Sequence, residues 1–374
     1  MRLSEVHGLV KQKEHLLKSI ASNRLPHAQL FLGPAGSGKL SLAHAIVQYL
    51  YCTDRSATDS CGECSSCRKI STYSHPDVHY SFPTVIKTSG KKPKSDDFME
   101  EWRAMNKDDH YFSTADWIGT IADSENKSPN ITREETHSIM SKLALKPYEG
   151  EAKTLILWMP EYLQKESNAL LKLIEEPAQK TYFILVAENS DELLTTITSR
   201  TQLLKIPGYT YVETQDYLKK KYHLDPTKAE QISYLAEGNL RRAMELVESV
   251  EDNYSALFRD WMLACFSNNL KKAAELSDNL NKLGRVQLQI FLKNGLNILR
   301  ESLLYTMIDD YQIKAEKDQQ DFIKKFSKTL NASYIEKSYE QINETIYHVQ
   351  RNANAKISLF NLSLGLRQNF IRKK

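Results

Sequence analysis

Short apolar runs alternate with stretches of helical period through the first part of the chain. The runs are Gln29–Leu32, Val78–Phe82, Thr154–Trp158, Tyr182–Val186 and Gln202–Ile206. Each has strand length, and their alternation with helical patterns predicts a parallel sheet flanked by helices, the α/β class. After Pro207-Gly208 the pattern turns helical. A short helical segment ends at the helix-breaking pair Gly238-Asn239. Beyond it, Leu288, Phe291, Leu292, Leu296, Leu299 and Leu303 recur at helix spacing. All eleven prolines stand at or before Pro226, so the rest of the chain can run through helices without that breaker.

A length of 374 residues exceeds the usual single core. The expected organisation is an α/β core over residues 1–207, a small helical lid over 208–250 and an all-α domain over 251–374. The segment Thr84 to Asn130 departs from this scheme. It opens on the polar run Lys87 to Ser95, shows no periodicity, and then carries Trp102 and Trp117 among acidic residues. So long a loop is uncommon in a compact domain, and it is read as an insertion decorating the surface; a dedicated partner site is the other reading.

Composition adds little beyond a globular class. Fifty basic against 47 acidic residues leave a formal charge of +3, too little to make the whole surface attract nucleic acid. No apolar run approaches the roughly 20 residues that span a bilayer, and the opening Met1-Arg2-Leu3-Ser4-Glu5 lacks the apolar core of an export signal, so a cytoplasmic protein is expected.

Chemistry enters at Gly33-Pro34-Ala35-Gly36-Ser37-Gly38-Lys39, which follows the first predicted strand and leads into a helical pattern. Gly33, Gly36 and Gly38 let backbone N–H groups turn toward a phosphate at a helix N-terminus, and Lys39 supplies the cation. The next position should carry a hydroxyl that ligates Mg²⁺, but it is Leu40. The strand that should end in metal-binding and water-polarising acids, the Walker B position, ends Leu157-Trp158-Met159, with Glu161 displaced beyond Pro160. Hydrolysis depends on positioned charge and metal, so these two losses predict a site that turns over no ATP. Mg²⁺ is not expected in it, while ATP or ADP binding by the surviving cradle stays open.

Cys52, Cys61, Cys64 and Cys67 form C-x8-C-x2-C-x2-C. Closely spaced thiols in a chain without an export signal suit tetrahedral Zn²⁺, and four soft ligands close the shell, which predicts a structural site. Cys265, in Leu263-Ala264-Cys265-Phe266, reads as a packed helix residue instead.

Several stretches in this order resemble the AAA+ clamp-loader family. They are Arg24-Leu25-Pro26-His27-Ala28 before the first strand, the cysteine module after the phosphate-loop helix, Asn168 to Pro177, Ser199-Arg200-Thr201, and Gly238-Asn239-Leu240-Arg241. Thr201 stands where the family has cysteine. The resemblance covers residues 1 to about 250, and it implies a P-loop-type sheet with helices on both faces, then a lid and a C-terminal collar that holds subunits together. It further implies a non-catalytic subunit of a DNA polymerase III clamp loader, an accessory part of a DNA-directed polymerase. Its partners would be gamma/tau and delta subunits in a heteropentamer and, through the complex, the sliding clamp and primer–template DNA. Arg200 would reach a neighbour's ATP as an arginine finger in trans, and Arg241 would be a lid residue that senses phosphate or a lid-to-core ion pair. Two other readings stay open: an ATPase that draws metal ligands from Ser41 or Glu161, and a stand-alone zinc-containing DNA-binding protein.

Overall fold

The structure, a computed structural model, describes residues 1–86, 92–107, 111–122, 127–178, 180–224, 226–249, 254–267, 269–283, 285–313, 317–329, 332–351 and 353–371. Five strands, β1 (Ala28–Leu32), β2 (Val78–Ser81), β3 (Lys153–Trp158), β4 (Thr181–Ala187) and β5 (Gln202–Lys205), form one sheet in the order β2-β3-β4-β1-β5. Every pairing is parallel, and Leu30 stands opposite Leu185 on one side and Leu203 on the other. The five apolar runs are thus strands. Central strands of a sheet covered on both faces need apolar residues at successive positions, and β3 is buried along its whole length.

The helices of this part are α1 (Val10–Ala21), α2 (Lys39–Tyr51), α3 (Ser65–Ser71), α4 (Met99–Met105), α5 (Thr114–Ile121), α6 (Arg133–Ala144), α7 (Ser167–Glu175), α8 (Thr195–Thr198) and α9 (Tyr211–Tyr222). On one sheet face Leu30, Leu155, Leu157, Phe183 and Leu185 pack with Ile139 and Leu143 of α6 and Leu170 and Ile174 of α7. The alternating residues Phe31, Ile156, Ile184 and Val186 are buried on the other face, where α2 packs against β1, β3 and β4. Each such side chain contributes roughly 1.5–3 kcal/mol on burial.

The expectation of a surface insertion at 84–130 is corrected. Thr84 and Asn130 close its base by an antiparallel bridge. Between them α4 and α5 deliver Trp102 and Trp117 into the interior, 1% and 0% exposed. Trp102 stacks on Phe82 with ring centroids 4.2 Å apart and meets Trp158 of β3 at 5.4 Å. The Trp117 indole N–H donates to the Pro83 carbonyl at 2.7 Å. The acids that made the segment look solvated include Asp116, which forms a reciprocal capping box with Ser113 at the start of α5. Lys87 to Lys91 of the predicted polar loop lie outside the described residues.

The later residues are helical: α10 (Pro226–Ala236), α11 (Leu240–Ser249), α12 (Tyr254–Phe266), α13 (Leu270–Lys282), α14 (Arg285–Met307), α15 (Lys317–Thr329), α16 (Ala332–Gln350) and α17 (Ala355–Ile371). Leu288, Phe291, Leu292 and Leu299 of α14 are fully buried, while Leu296 and Leu303 are only partly so. Gly295 has a packing reason, since a Cβ there would lie 2.2 Å from the Phe258 ring. Cys265 is buried in α12. By compactness the chain forms two units, one of Met1–Leu224 with Ala236–Arg242, the other of Asp225–Leu235 with Ala243–Lys374. The residues expected as a lid are shared between them.

Candidate functional site

The phosphate loop leaves the C-terminal end of β1, between the ends of β4 and β5. The Gly33 N–H donates to Ala187 at 3.2 Å, and the Ile206 N–H donates to Leu32 at 2.8 Å. This is where a parallel sheet opens a crevice for ligands. Gly36 and Gly38 hold φ of +69° and +78°, which explains glycine at both positions. The loop is roofed by the protein itself. A Cβ on Gly36 would lie 1.9 Å from Asn239 Oδ1, and one on Gly38 would lie 2.3 Å from the Tyr209 hydroxyl oxygen. The Leu240 N–H donates to the Gly36 carbonyl at 3.2 Å, and the Tyr209 N–H donates to Gly238 at 2.9 Å, which ties residues 236–242 to the loop.

Lys39 is 4% exposed. Its ammonium donates to Glu188 Oε1 at 2.9 Å and to the Pro34 carbonyl at 3.0 Å. Burial pulls its pKa below the usual lysine range, and Glu188 opposes that shift. Leu40 points into the core, 3% exposed. The Ser41 hydroxyl is fully buried with no hydrogen-bond partner among the described residues. At the end of β3, Trp158 and Met159 are 3% and 5% exposed, so apolar side chains occupy the acid positions. Glu161 Oε1 accepts the N–H groups of Glu188 at 2.6 Å and Asn189 at 3.0 Å, and burial pushes its carboxyl above the usual range against those bonds.

Arg241 makes a two-pronged bond to Asp116 of α5, Nε to Oδ2 and Nη2 to Oδ1, each 2.9 Å. Burial opposes ionisation of Asp116, but the Arg241 fork and Ser113 outweigh it and hold the carboxyl below its ordinary range. Of the two roles weighed for Arg241, this geometry is the ion pair. Arg200, between α8 and β5, is exposed and pairs through Nε with Glu175 at the end of α7. Its Nη1 also donates to the Thr196 carbonyl at 3.0 Å. The side chain of Asn168 lies outside the described residues.

The four predicted metal-site cysteines converge. Their sulfur atoms all lie within 4.8 Å of one another. Cys52 Sγ is 3.5 Å from Cys61 Sγ, which is 3.9 Å from Cys67 Sγ. Tetrahedral zinc with bonds of about 2.3 Å requires sulfurs about 3.8 Å apart, so the arrangement fits that ion. Backbone N–H groups of Cys61 and Cys64 donate to Cys52 Sγ and Cys61 Sγ at 3.2 and 3.3 Å, bonds that favour thiolates. The module is tied to the start of the chain through its own Asp59, whose carboxylate accepts the N–H groups of Leu3 and Ser4 at 2.8 and 2.9 Å.

Sequence reading missed Glu188, Asp116 and Tyr209, and it took Asn239 as a helix breaker and part of the lid motif without its approach to Gly36. Glu188 had one signal, an acid directly after a core strand, but nothing local said that this strand lies beside β1.

A parallel sheet whose first strand ends in a glycine-rich loop, closed over by an arginine-bearing helix start, defines a P-loop domain of the AAA+ kind with its metal positions replaced. The sequence model of a family described as DNA polymerase III, delta subunit, matches residues 9–210, more than half of the chain, and the chain belongs to that family, among the delta-prime members of the clamp loader. It is 29% identical over 183 residues to DNA polymerase III subunit delta' of Yersinia pestis, covering 48% of this chain and 41% of that protein. It is 26% identical over 236 residues to the subunit delta' of Bacillus subtilis, covering 63% of this chain and 58% of that protein. The chain thus spans about half the length of these curated relatives. A solved DNA polymerase III gamma subunit-related protein of Thermotoga maritima is similar with a TM-score of 0.40 at 15% identity, over 96% of this chain and 99% of that one. Among the described residues, no helix is long and apolar enough to cross a membrane.

Proposed function

We propose that this chain is a non-hydrolysing clamp-loader subunit that completes the ATP site of a neighbouring gamma/tau subunit with Arg200. It would act beside delta in a heteropentamer, in the cytoplasm, while the sliding clamp is loaded onto primer–template DNA. Residues 208–250 would serve as lid and 251–374 as collar. The observation that carries the reading is the contrast between two sites. Leu40, Trp158 and Met159 put buried apolar groups where metal and water activation need oxygen ligands. Arg200 stays at the surface, held by a carboxylate on its own chain. An exposed pair of this kind is worth about 0–1 kcal/mol, so a triphosphate on a neighbour can displace Glu175 at little cost.

A guanidinium supplied in trans raises hydrolysis at the site it reaches by about 10³–10⁵. In a loader reconstituted with Arg200→Ala, DNA-stimulated hydrolysis should fall by the share of that one site while assembly persists. Unchanged hydrolysis in an assembled complex refutes the finger. The cysteine cluster supports a structural zinc: Cys52, Cys61, Cys64 and Cys67 would hold it with no open position, so the ion would fix the chain after α2 and perform no chemistry.

A further inference from the structure

Failure to hydrolyse ATP and failure to bind it are separate losses. Leu40 and the strand end at Trp158 bear on metal and water. Neither touches the ammonium that meets a nucleotide's outer phosphates, because Lys39 is intact. Its ammonium is nevertheless already engaged, 2.9 Å from Glu188 Oε1 and 3.0 Å from the Pro34 carbonyl, on a side chain that is 5% exposed. Glu188 follows β4, the parallel neighbour of β1, so its carboxylate arrives at the mouth of the loop. Its backbone is fixed there by Glu161, which accepts the N–H groups of Glu188 and Asn189.

We propose that Glu188 is an internal occupant of the phosphate loop, a carboxylate held where a nucleoside di- or triphosphate would place its own anion. Resting on the reading that the chain turns over no ATP, this adds why the cradle is closed even to binding. A ligand phosphate must displace Glu188 from Lys39 and then lie beside the displaced charge, and both terms oppose it in a partly buried site. Glu161 is then a positioning residue that keeps the Glu188 backbone at the loop. Its Oε1 is engaged by those two N–H groups, while its Oε2 is buried with no hydrogen-bond partner among the described residues.

The test uses the full chain, with ADP and ATPγS as probes in isothermal titration calorimetry, with and without Mg²⁺. Glu188→Gln keeps the size of the side chain and removes its charge. It should bind ADP at least about tenfold tighter than the parent, the step that about 1.4 kcal/mol produces. Glu188→Gln with Lys39→Ala should lose that gain, because the freed ammonium is what the phosphate meets. Equal affinity of parent and Glu188→Gln overturns the proposal. So does the absence of binding in a Glu188→Gln protein that melts like the parent, since the roof of Tyr209 and Asn239 would then be the barrier. Turnover is followed in the same samples. Hydrolysis by the parent would sink the non-hydrolysing reading without touching the Glu188 result, whereas tight binding without turnover in Glu188→Gln upholds both.

Discussion

Trp102→Ala is the substitution that best tests whether the Thr84 to Asn130 segment belongs to the core. The side chain is 1% exposed. Its ring meets four aromatic rings, those of Phe82, Trp117, Trp158 and Phe112, at centroid distances of 4.2, 5.2, 5.4 and 5.6 Å. Truncating a buried Trp costs about 3–5 kcal/mol, and pairs of this geometry add about 0.5–1.5 kcal/mol each, which argues for the upper half of the range. For a unit of this size that predicts a fall in Tm of about 8–20 °C. Differential scanning calorimetry gives the midpoint, and tryptophan emission assigns it. Three of the protein's four tryptophans lie in this cluster, and Trp261 of α12 supplies the reference for the other unit. Thr120→Ser, on an exposed turn of α5, serves as the control and should stay within about 0.5 kcal/mol. A Trp102→Ala midpoint no lower than that of the control refutes the core assignment. The same loss should loosen Asp116 and with it the hold on Arg241, because α5 is anchored by Trp117 in the same cluster.

Two further outcomes follow from the cysteine module and from Asp77. Elemental analysis of freshly purified, reduced protein should give about one zinc per chain, and Cys64→Ser should lower it sharply; no zinc in the parent refutes the site. The Asp77 carboxylate accepts the N–H groups of Tyr148, Glu149 and Gly150 at 2.6, 2.8 and 2.7 Å. Burial opposes its ionisation, but these three donors outweigh burial and depress its pKa. A depressed folded-state pKa makes a contribution that is complete above the unfolded value near 3.9 and is lost as pH falls through the folded value. Urea midpoints should therefore drop as pH is lowered through the carboxylate range, and Asp77→Asn should be less stable at neutral pH with a shallower drop. An unchanged pH profile in Asp77→Asn refutes this account.

Local pattern carried most of the α/β framework. The five strands were legible because buried parallel strands need continuous apolar runs, and the phosphate loop because glycine is the residue that takes the positive φ held at positions 36 and 38. The cysteine cluster was legible because three of its four cysteines lie within seven consecutive residues, Cys61 to Cys67. The segment from Thr84 to Asn130 was misread because aromatic packing has no period of its own. Its acids, used for helix capping and for the Arg241 clasp, looked like solvated surface.

By itself the sequence determined the strands, the loop, the spacing of the four cysteines and the apolar residues at Leu40 and Met159, since each is a matter of residue type at a fixed local spacing. The state of the loop was decided only in three dimensions. Lys39 and Glu188 are 149 positions apart, and Asp116 and Arg241 are 125 apart. Pairs at such separations exist because the sheet order sets β4 beside β1 and because residues 236–242 fold back over the loop. No local propensity encodes that order: it follows from which faces must be buried together, and it puts a carboxylate on the lysine that the sequence alone leaves open for phosphate.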